Sequence, residues 1–190
     1  MGLTILENLI DASKLKALDL TKSQSLCEGA TLRKAHYELG KITAEHITNC
    51  NTSYPSDYGV VILMRAGLNF GLGIADNLEH SKNKVSIYFT TQDGLDQESL
   101  DALSRKQIII VDAVINTGKS ISNIIDRMEQ NQAKNTIIAT IVMPEKAQHL
   151  AHKLNIISLR VSENKYKGAK IKTVTGGIGP DTGDRLFGTM

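Results

Sequence analysis

Gln107-Ile108-Ile109-Ile110-Val111-Asp112-Ala113-Val114-Ile115-Asn116-Thr117-Gly118-Lys119-Ser120 decides how this chain is read. The aliphatic run Ile108 to Val111 has the length of a strand and is apolar enough to be covered on both sides. Asp112 stands at its carboxyl end, a Thr-Gly-Lys-Ser turn follows, and Ile121, Ile124, Ile125 and Met128 then recur at the spacing of a helix face. A strand, a tight turn and a helix in succession leave unpaired backbone amides at the helix N-terminus, where anions bind. An acid beside such a cradle suits a ligand carrying a phosphate together with hydroxyl groups or a metal. The same residues also fit an ordinary strand–helix turn capped by Thr or Ser. A third reading is a relaxed Walker A loop over Ala113 to Ser120, with Ala where the first Gly stands. The following apolar run, 136–142, ends in Met143-Pro144-Glu145 rather than in an Asp, which speaks against that loop.

Outward from this unit, strand and helix signals alternate. Helices are expected at 12–19, 31–49, 70–78, 120–131 and 146–153, and strands at 60–64, 84–90, 108–112, 136–143 and 156–161. Such alternation predicts an α/β fold: a mostly parallel central sheet with helices on both faces and ligands at the strands' carboxyl ends. The polar, acidic segment 91–104 (Asp93, Asp96, Glu98, Asp101) is too long for a tight turn and fits either a flexible hood over the site or a solvated hairpin. No repeat, linker or low-complexity stretch divides the 190 residues, so a single domain is expected.

Two further segments bear on the ligand. Gly59-Val60-Val61-Ile62-Leu63-Met64-Arg65-Ala66-Gly67 is a second buried strand, and it runs into a turn that presents an Arg and backbone amides. A guanidinium there can fork onto phosphate oxygens. The C-terminal Gly176-Gly177-Ile178-Gly179-Pro180-Asp181-Thr182-Gly183-Asp184-Arg185-Leu186-Phe187-Gly188-Thr189 is too rich in Gly for a packed helix or strand and is expected as an ordered loop close to a ligand. Its closing Leu186-Phe187 pair argues against a disordered tail.

Taken in this order, the three segments resemble the uracil phosphoribosyltransferases, type I phosphoribosyltransferases with an Ile-Leu-Arg-Ala-Gly strand end, a Val-Asp-Pro-x-x-x-Thr-Gly-Gly-Ser loop and a terminal Gly-Asp-Arg-x-Phe-Gly-Thr. The 31–42 stretch is similar to that family's N-terminal helix. The resemblance implies transfer of a phosphoribosyl group from phosphoribosyl pyrophosphate (PRPP) to a pyrimidine, with uracil the first expectation. It implies that Asp112 binds the ribose hydroxyls and that Thr117, Gly118, Lys119 and Ser120 wrap the 5-phosphate. By the same resemblance Arg65, with Ala66 and Gly67, would take the departing pyrophosphate. The backbone of Val174, Gly177, Ile178 and Gly179 would read the base, and Asp181, Gly183 and Asp184 would close the pocket. Mg2+ is implied mainly through PRPP, with Asp184 its one candidate protein ligand, and a homodimer or larger assembly is implied as well.

The chain departs from the family pattern at several points. Lys119 replaces a Gly, and Ala113 replaces a Pro. Phe89-Thr90-Thr91-Gln92 follows Tyr88 where Arg-Asp-Glu is usual, removing a cation from the leaving-group side. Pro180 is an extra residue, and Lys172-Thr173-Val174-Thr175 replaces a Tyr-Ile-Val-Pro lead-in to the base loop. An altered PRPP- or nucleotide-binding regulator of the same fold is therefore the alternative to a working transferase.

Composition excludes other classes. Net charge is +2 and 41% of residues are hydrophobic, so no polybasic surface points to nucleic acid or an anionic membrane. The Lys-rich 165–172 stretch reads as a solvated loop. Cys27 and Cys50 lack metal-ligand spacing and are expected as free, buried thiols in a cytoplasmic setting. His149 and His152 share a helix face without nearby acids and are expected at the surface. No run approaches the ~18 apolar residues of a membrane span, and the apolar patch at 3–9 lacks the basic start of a leader. Leu15, Leu18 and Leu20 could serve an interface or, more simply, the core.

Overall fold

The computed structural model describes residues 1–50, 57–91, 93–163 and 180–189. Its sheet contains β1 (Gly2–Ile5), β2 (Asp57–Leu63), β3 (Lys84–Thr90), β4 (Gln107–Val111), β5 (Ile137–Pro144) and β6 (Asn155–Ser162). They pair in the order β1-β6-β5-β4-β2-β3, with every pairing parallel. The helices are α1 (Ala12–Thr21), α2 (Gly29–Cys50), α3 (Leu68–His80), α4 (Gln97–Leu103), α5 (Lys119–Ile125), α6 (Gln130–Asn135) and α7 (Thr182–Phe187). The α/β architecture expected from the alternation is the one observed.

Successive side chains of a strand point to opposite faces, and the continuous apolar runs of β2 and β4 supply both. Val60, Ile62, Ile109 and Val111 pack with Leu39, Ile42, Phe70, Ile74 and Leu18 of the α1–α2–α3 layer. Val61, Leu63, Ile108 and Ile110 pack with Leu100, Leu103, Ile121 and Ile124 of the α4–α5 layer. Alternation along two central strands thus builds two cores, which is why the strands must be covered on both sides. In the first layer α2 and α3 approach to backbone contact. A Cβ on Gly40 would meet the carbonyl of Phe70, and one on Gly73 the carbonyl of Tyr37. The Tyr37 hydroxyl donates to Asp76 Oδ2 (2.6 Å) across the same seam.

Several local expectations are corrected. The segment read as a hood contains α4, whose Leu100 and Leu103, with Leu95 before it, are buried. Asp96, one of the acids that suggested a solvated loop, instead caps that helix by accepting the Ser99 amide (2.8 Å). The single helix expected at 120–131 is two: the apolar stripe runs out near Met128, and Glu129 leaves helical dihedrals (ψ 147°) before α6, which buries nothing. Residues Glu145–His152 form a 3-10 helix, with His149 and His152 exposed as expected. The apolar N-terminal patch is in part strand β1, added to the edge beside β6. Leu18 is buried in the core and Leu15 packs against it. The cysteines are free, but Cys27 is only half-buried and Cys50 is exposed.

The largest correction is at the C-terminus. Residues 182–187 are not loop but helix α7, because Asp181 caps it by accepting the Asp184 amide (2.9 Å) and Leu186 is buried beneath it. Gly188 then ends it in the left-handed conformation (φ 66°). Arg185 is buried as well, and donates to the carbonyls of Thr21 (3.0 Å) and Cys27 (2.8 Å), among others in the α1–α2 connection. Its charge pins the C-terminus to the N-terminal third of the chain.

Candidate active site

A cavity of about 670 Å3 opens where the carboxyl ends of β2, β4, β5 and β6 meet the start of α7. In a parallel sheet this edge is where loops and amides converge on a ligand. Leu63 to Ala66, Asp112 to Asn116, Ser120, Val142, Arg160 and Pro180 to Gly183 are among the residues on its wall.

Asp112 follows β4 directly. Its amide donates to the Ala139 carbonyl (3.1 Å), and its Oδ1 accepts the Val114 amide (3.3 Å). Part of its surface opens to the cavity, but protein encloses the rest. Burial pushes its carboxyl up to about 7, the Val114 hydrogen bond pulls the other way, and the Asp181 charge adds to the rise. An acid poised near neutrality and short of donors accepts hydrogen bonds from hydroxyl groups readily.

The turn after Asp112 carries Gly118 at φ 75°, the left-handed region that turns the chain into α5. Thr117 Oγ1 accepts the Lys119 amide at 3.4 Å, a long contact. Asn116 and Ser120 line the cavity, whereas Thr117, Gly118 and Lys119 are not on its wall. The Lys119 side chain is exposed.

Arg65 follows β2 across a cis Met64-Arg65 peptide. Its Nη2 donates to Asp184 Oδ1 (2.8 Å) and its Nη1 to Thr189 Oγ1 (2.8 Å), while Asp181 Oδ1 lies at 3.9 Å. Helix α7 therefore sets where the guanidinium sits; a Cβ on Gly183 would crowd the capping Asp181 Oδ1 (2.9 Å) while standing at an ordinary 3.5 Å from Arg65 Nε. Ala66 lines the cavity, but the Gly67 amide donates to the Leu63 carbonyl (3.1 Å) and holds the turn instead.

Of the residues expected from sequence, Arg65, Ala66, Asp112, Ser120, Asp181 and Gly183 are brought to one wall. Asp184 joins them through Arg65. Gly67, Thr117, Gly118 and Lys119 flank it, and Val174, Gly177, Ile178 and Gly179 lie outside the described residues. Sequence reasoning missed His36 and Arg160, both on the cavity wall. Each carried a signal: a His on the buried stripe of α2, and an Arg inside the apolar run of β6.

Among the described residues no group of three or more His, Cys, Asp or Glu could hold a metal. The cavity instead offers isolated carboxylates, Asp112 and Asp181, on its rim. That donor set fits Mg2+, which keeps several waters and is bound by one or two carboxylates together with substrate phosphates. Among the described residues no helix is long and apolar enough to cross a membrane.

Comparison with known proteins bears on the family and the fold. The chain is 30% identical over 144 residues to the uracil phosphoribosyltransferase of Staphylococcus carnosus (strain TM300), a match that covers 68% of this chain and 64% of that protein. Its fold is similar to the structure of the AQ2163 protein from Aquifex aeolicus, with a TM-score of 0.67 at 15% identity and 97% of each chain covered. The sequence profile of uracil phosphoribosyltransferase matches residues 25–189, and the chain belongs to that family.

Proposed function

We propose that the protein transfers a phosphoribosyl group from PRPP to a pyrimidine base, releasing pyrophosphate. The observation that carries this reading is the convergence of Asp112, Ser120 and an Arg65 held by α7 on one cavity at the carboxyl edge of the sheet. Family membership supports it from the other direction, and uracil is the base to test first.

In this reaction a ring nitrogen of the base uses its lone pair to bond the anomeric carbon as the bond to pyrophosphate breaks. The pyrophosphate leaves with the electron pair, and the ring proton is released. The transition state is oxocarbenium-like, so the protein's work is positioning and charge stabilisation rather than covalent catalysis. Asp112 accepts the ribose hydroxyls and favours the positive charge that develops on the sugar. The Asn116–Ser120 turn holds the 5-phosphate, and Ser120 is its one predicted contact already on the cavity wall. Arg65, with Ala66, receives the pyrophosphate. Asp181 on the cavity wall, with Asp184 behind it against Arg65, would help hold Mg2+ brought in with PRPP, which would supply charge neutralisation for the departing pyrophosphate. We further read the protein as a cytoplasmic homo-oligomer of pyrimidine salvage.

The test is nucleotide formation from PRPP, Mg2+ and each of uracil, cytosine, hypoxanthine, adenine and guanine, with PRPP binding followed by calorimetry. UMP formation supports the reading. PRPP binding without product from any base favours a regulator, a reading motivated by Phe89, an exposed apolar residue near the end of β3 where the family pattern has an Arg. Absence of PRPP binding removes both.

A further inference from the structure

The cavity contains a cation that the proposed reaction does not use. Arg160 lies on β6 in register with Val142 of β5, which bridges Val114 beyond the end of β4. It is two strands from the strand of Asp112, or about 10 Å at the usual spacing. Its guanidinium is largely enclosed, and its Nε is buried without a hydrogen-bond partner. Among the described residues it forms no ion pair. Glu7 and Asp19 attract it only at longer range, and Arg185 repels it. The residues outside the description, 51–56, 92, 164–179 and 190, include no Asp or Glu, and they add Lys165, Lys167, Lys170 and Lys172. No side-chain carboxylate in those segments exists to neutralise it.

His36 lines the same cavity, buried, with both ring nitrogens unpartnered. Burial, then the charge of Arg185, pushes its pKa down to about 3, so at neutral pH it is an uncharged ring with one donor and one acceptor. A buried Arg160 Nε and the two nitrogens of a neutral imidazole, all left without partners, define a wall suited to an anionic oxygen next to a polar ring edge.

The strand order says which substrate meets that wall. Arg65 ends β2, on one side of β4, while Arg160 is on β6, on the other side beyond β5. Displacement at the anomeric carbon brings the acceptor in opposite the departing pyrophosphate. The donor's anions therefore fall to Arg65 and the Asn116–Ser120 turn, and Arg160 faces the acceptor.

We propose that Arg160, with His36 on the same wall, forms an acceptor subsite that selects a pyrimidine bearing a carboxylate over the neutral base. The assignment of the acceptor rests on the phosphoribosyl-transfer reading; the anion site itself does not.

The test compares uracil, 5-carboxyuracil and 6-carboxyuracil with the full-length protein, by calorimetric binding in the presence of pyrophosphate and by nucleotide formation with PRPP. At least one carboxylated base is expected to bind about tenfold or more tightly than uracil, and Arg160→Gln is expected to bring that ratio close to one. Wild-type protein that does not prefer either carboxylate overturns the proposal, whatever the variant does. An Arg160→Gln variant that keeps the preference, or that weakens PRPP and every base alike, overturns it too. Carboxylate binding that depends on Arg160, without nucleotide formation from any base, would leave the subsite standing and remove the transferase reading.

Discussion

Asp184 holds the Arg65 guanidinium across 119 residues of sequence, by a 2.8 Å hydrogen bond between Nη2 and Oδ1. Thr189 closes the triangle, accepting from Arg65 Nη1 (2.8 Å) and donating to Asp184 Oδ1 (2.6 Å). The pair is half exposed on the Arg65 side, so its contribution to stability is small, under about 1 kcal/mol. Its importance lies in aim. Arg65→Ala should lower kcat/KM for PRPP by roughly 10²–10³-fold, as loss of a positioned transition-state donor does. Asp184→Asn should lower it by about tenfold while thermal unfolding barely moves. Equal losses in activity and stability for Asp184→Asn would mean that the acid is a structural tie rather than a guide for the guanidinium.

Asp112 makes the opposite trade. Its carboxyl is raised from 3.8 to about 7 in the folded protein. Between these values the folded chain keeps a proton that the unfolded chain has released, so stability is fullest at acid pH and declines as pH rises through 7. Asp112→Asn keeps an oxygen for the Val114 amide but has no charge to bury. It should be near neutral for stability at pH 5 and stabilising by roughly 1–3 kcal/mol at pH 8, while abolishing transfer. PRPP hydroxyls favour the ionised form, so binding should weaken below pH 7 and release protons there, as read by calorimetry in buffers of different ionisation enthalpy. A stabilisation relative to wild type no larger at pH 8 than at pH 5 would sink this account.

The sheet was legible because its signals are local. Runs such as Val60–Leu63 and Ile108–Val111 identify themselves by apolar content, and the edge where Arg65 and Asp112 meet follows from a parallel sheet. What stayed hidden depended on distant partners. Thr182–Phe187 has poor intrinsic helix propensity in its first residues, and it is helical because Asp181 caps it and Leu186 and Arg185 are buried against the N-terminal third of the chain. Leu95, Leu100 and Leu103 outweighed the acids of 93–101 once α4 had the second core to cover. His36 and Arg160 looked like interruptions of apolar patterns. Only the register of β6 and the course of α2 bring them to one cavity.

Arg185 carries the boldest stability prediction. It is 2% exposed, and its donors are taken up by carbonyls of the α1–α2 connection. Arg185→Met fills part of the volume but leaves those carbonyls without donors, and should cost about 2–4 kcal/mol in urea unfolding. PRPP affinity should fall as well, because α7 carries Asp181 and Asp184 to Arg65. Arg185→Lys, with fewer donors in a different geometry, should recover only part of the loss. Unchanged stability in Arg185→Met would show that α7 is held by Leu186 alone.

Gly118 and Lys119 are neighbours with opposite expectations. Gly118 sits at φ 75°, where a Cβ is strained, and the added atom would meet Leu150 Cδ1 at 2.5 Å. Gly118→Ala should cost about 1–2 kcal/mol in stability and reduce PRPP affinity by roughly tenfold as the turn shifts under the 5-phosphate. Lys119 departs from the Gly of the family pattern, yet its side chain is exposed and off the cavity wall. Lys119→Ala removes a cation near the phosphate without altering the turn, and Ala is the better helix former at the start of α5. Its PRPP affinity should stay within about threefold of wild type, with at most the weak, salt-sensitive loss of a screened surface charge. A tenfold loss in Lys119→Ala that persists at high salt would mean that the side chain swings onto the phosphate when PRPP binds, making Lys119 a ligand contact.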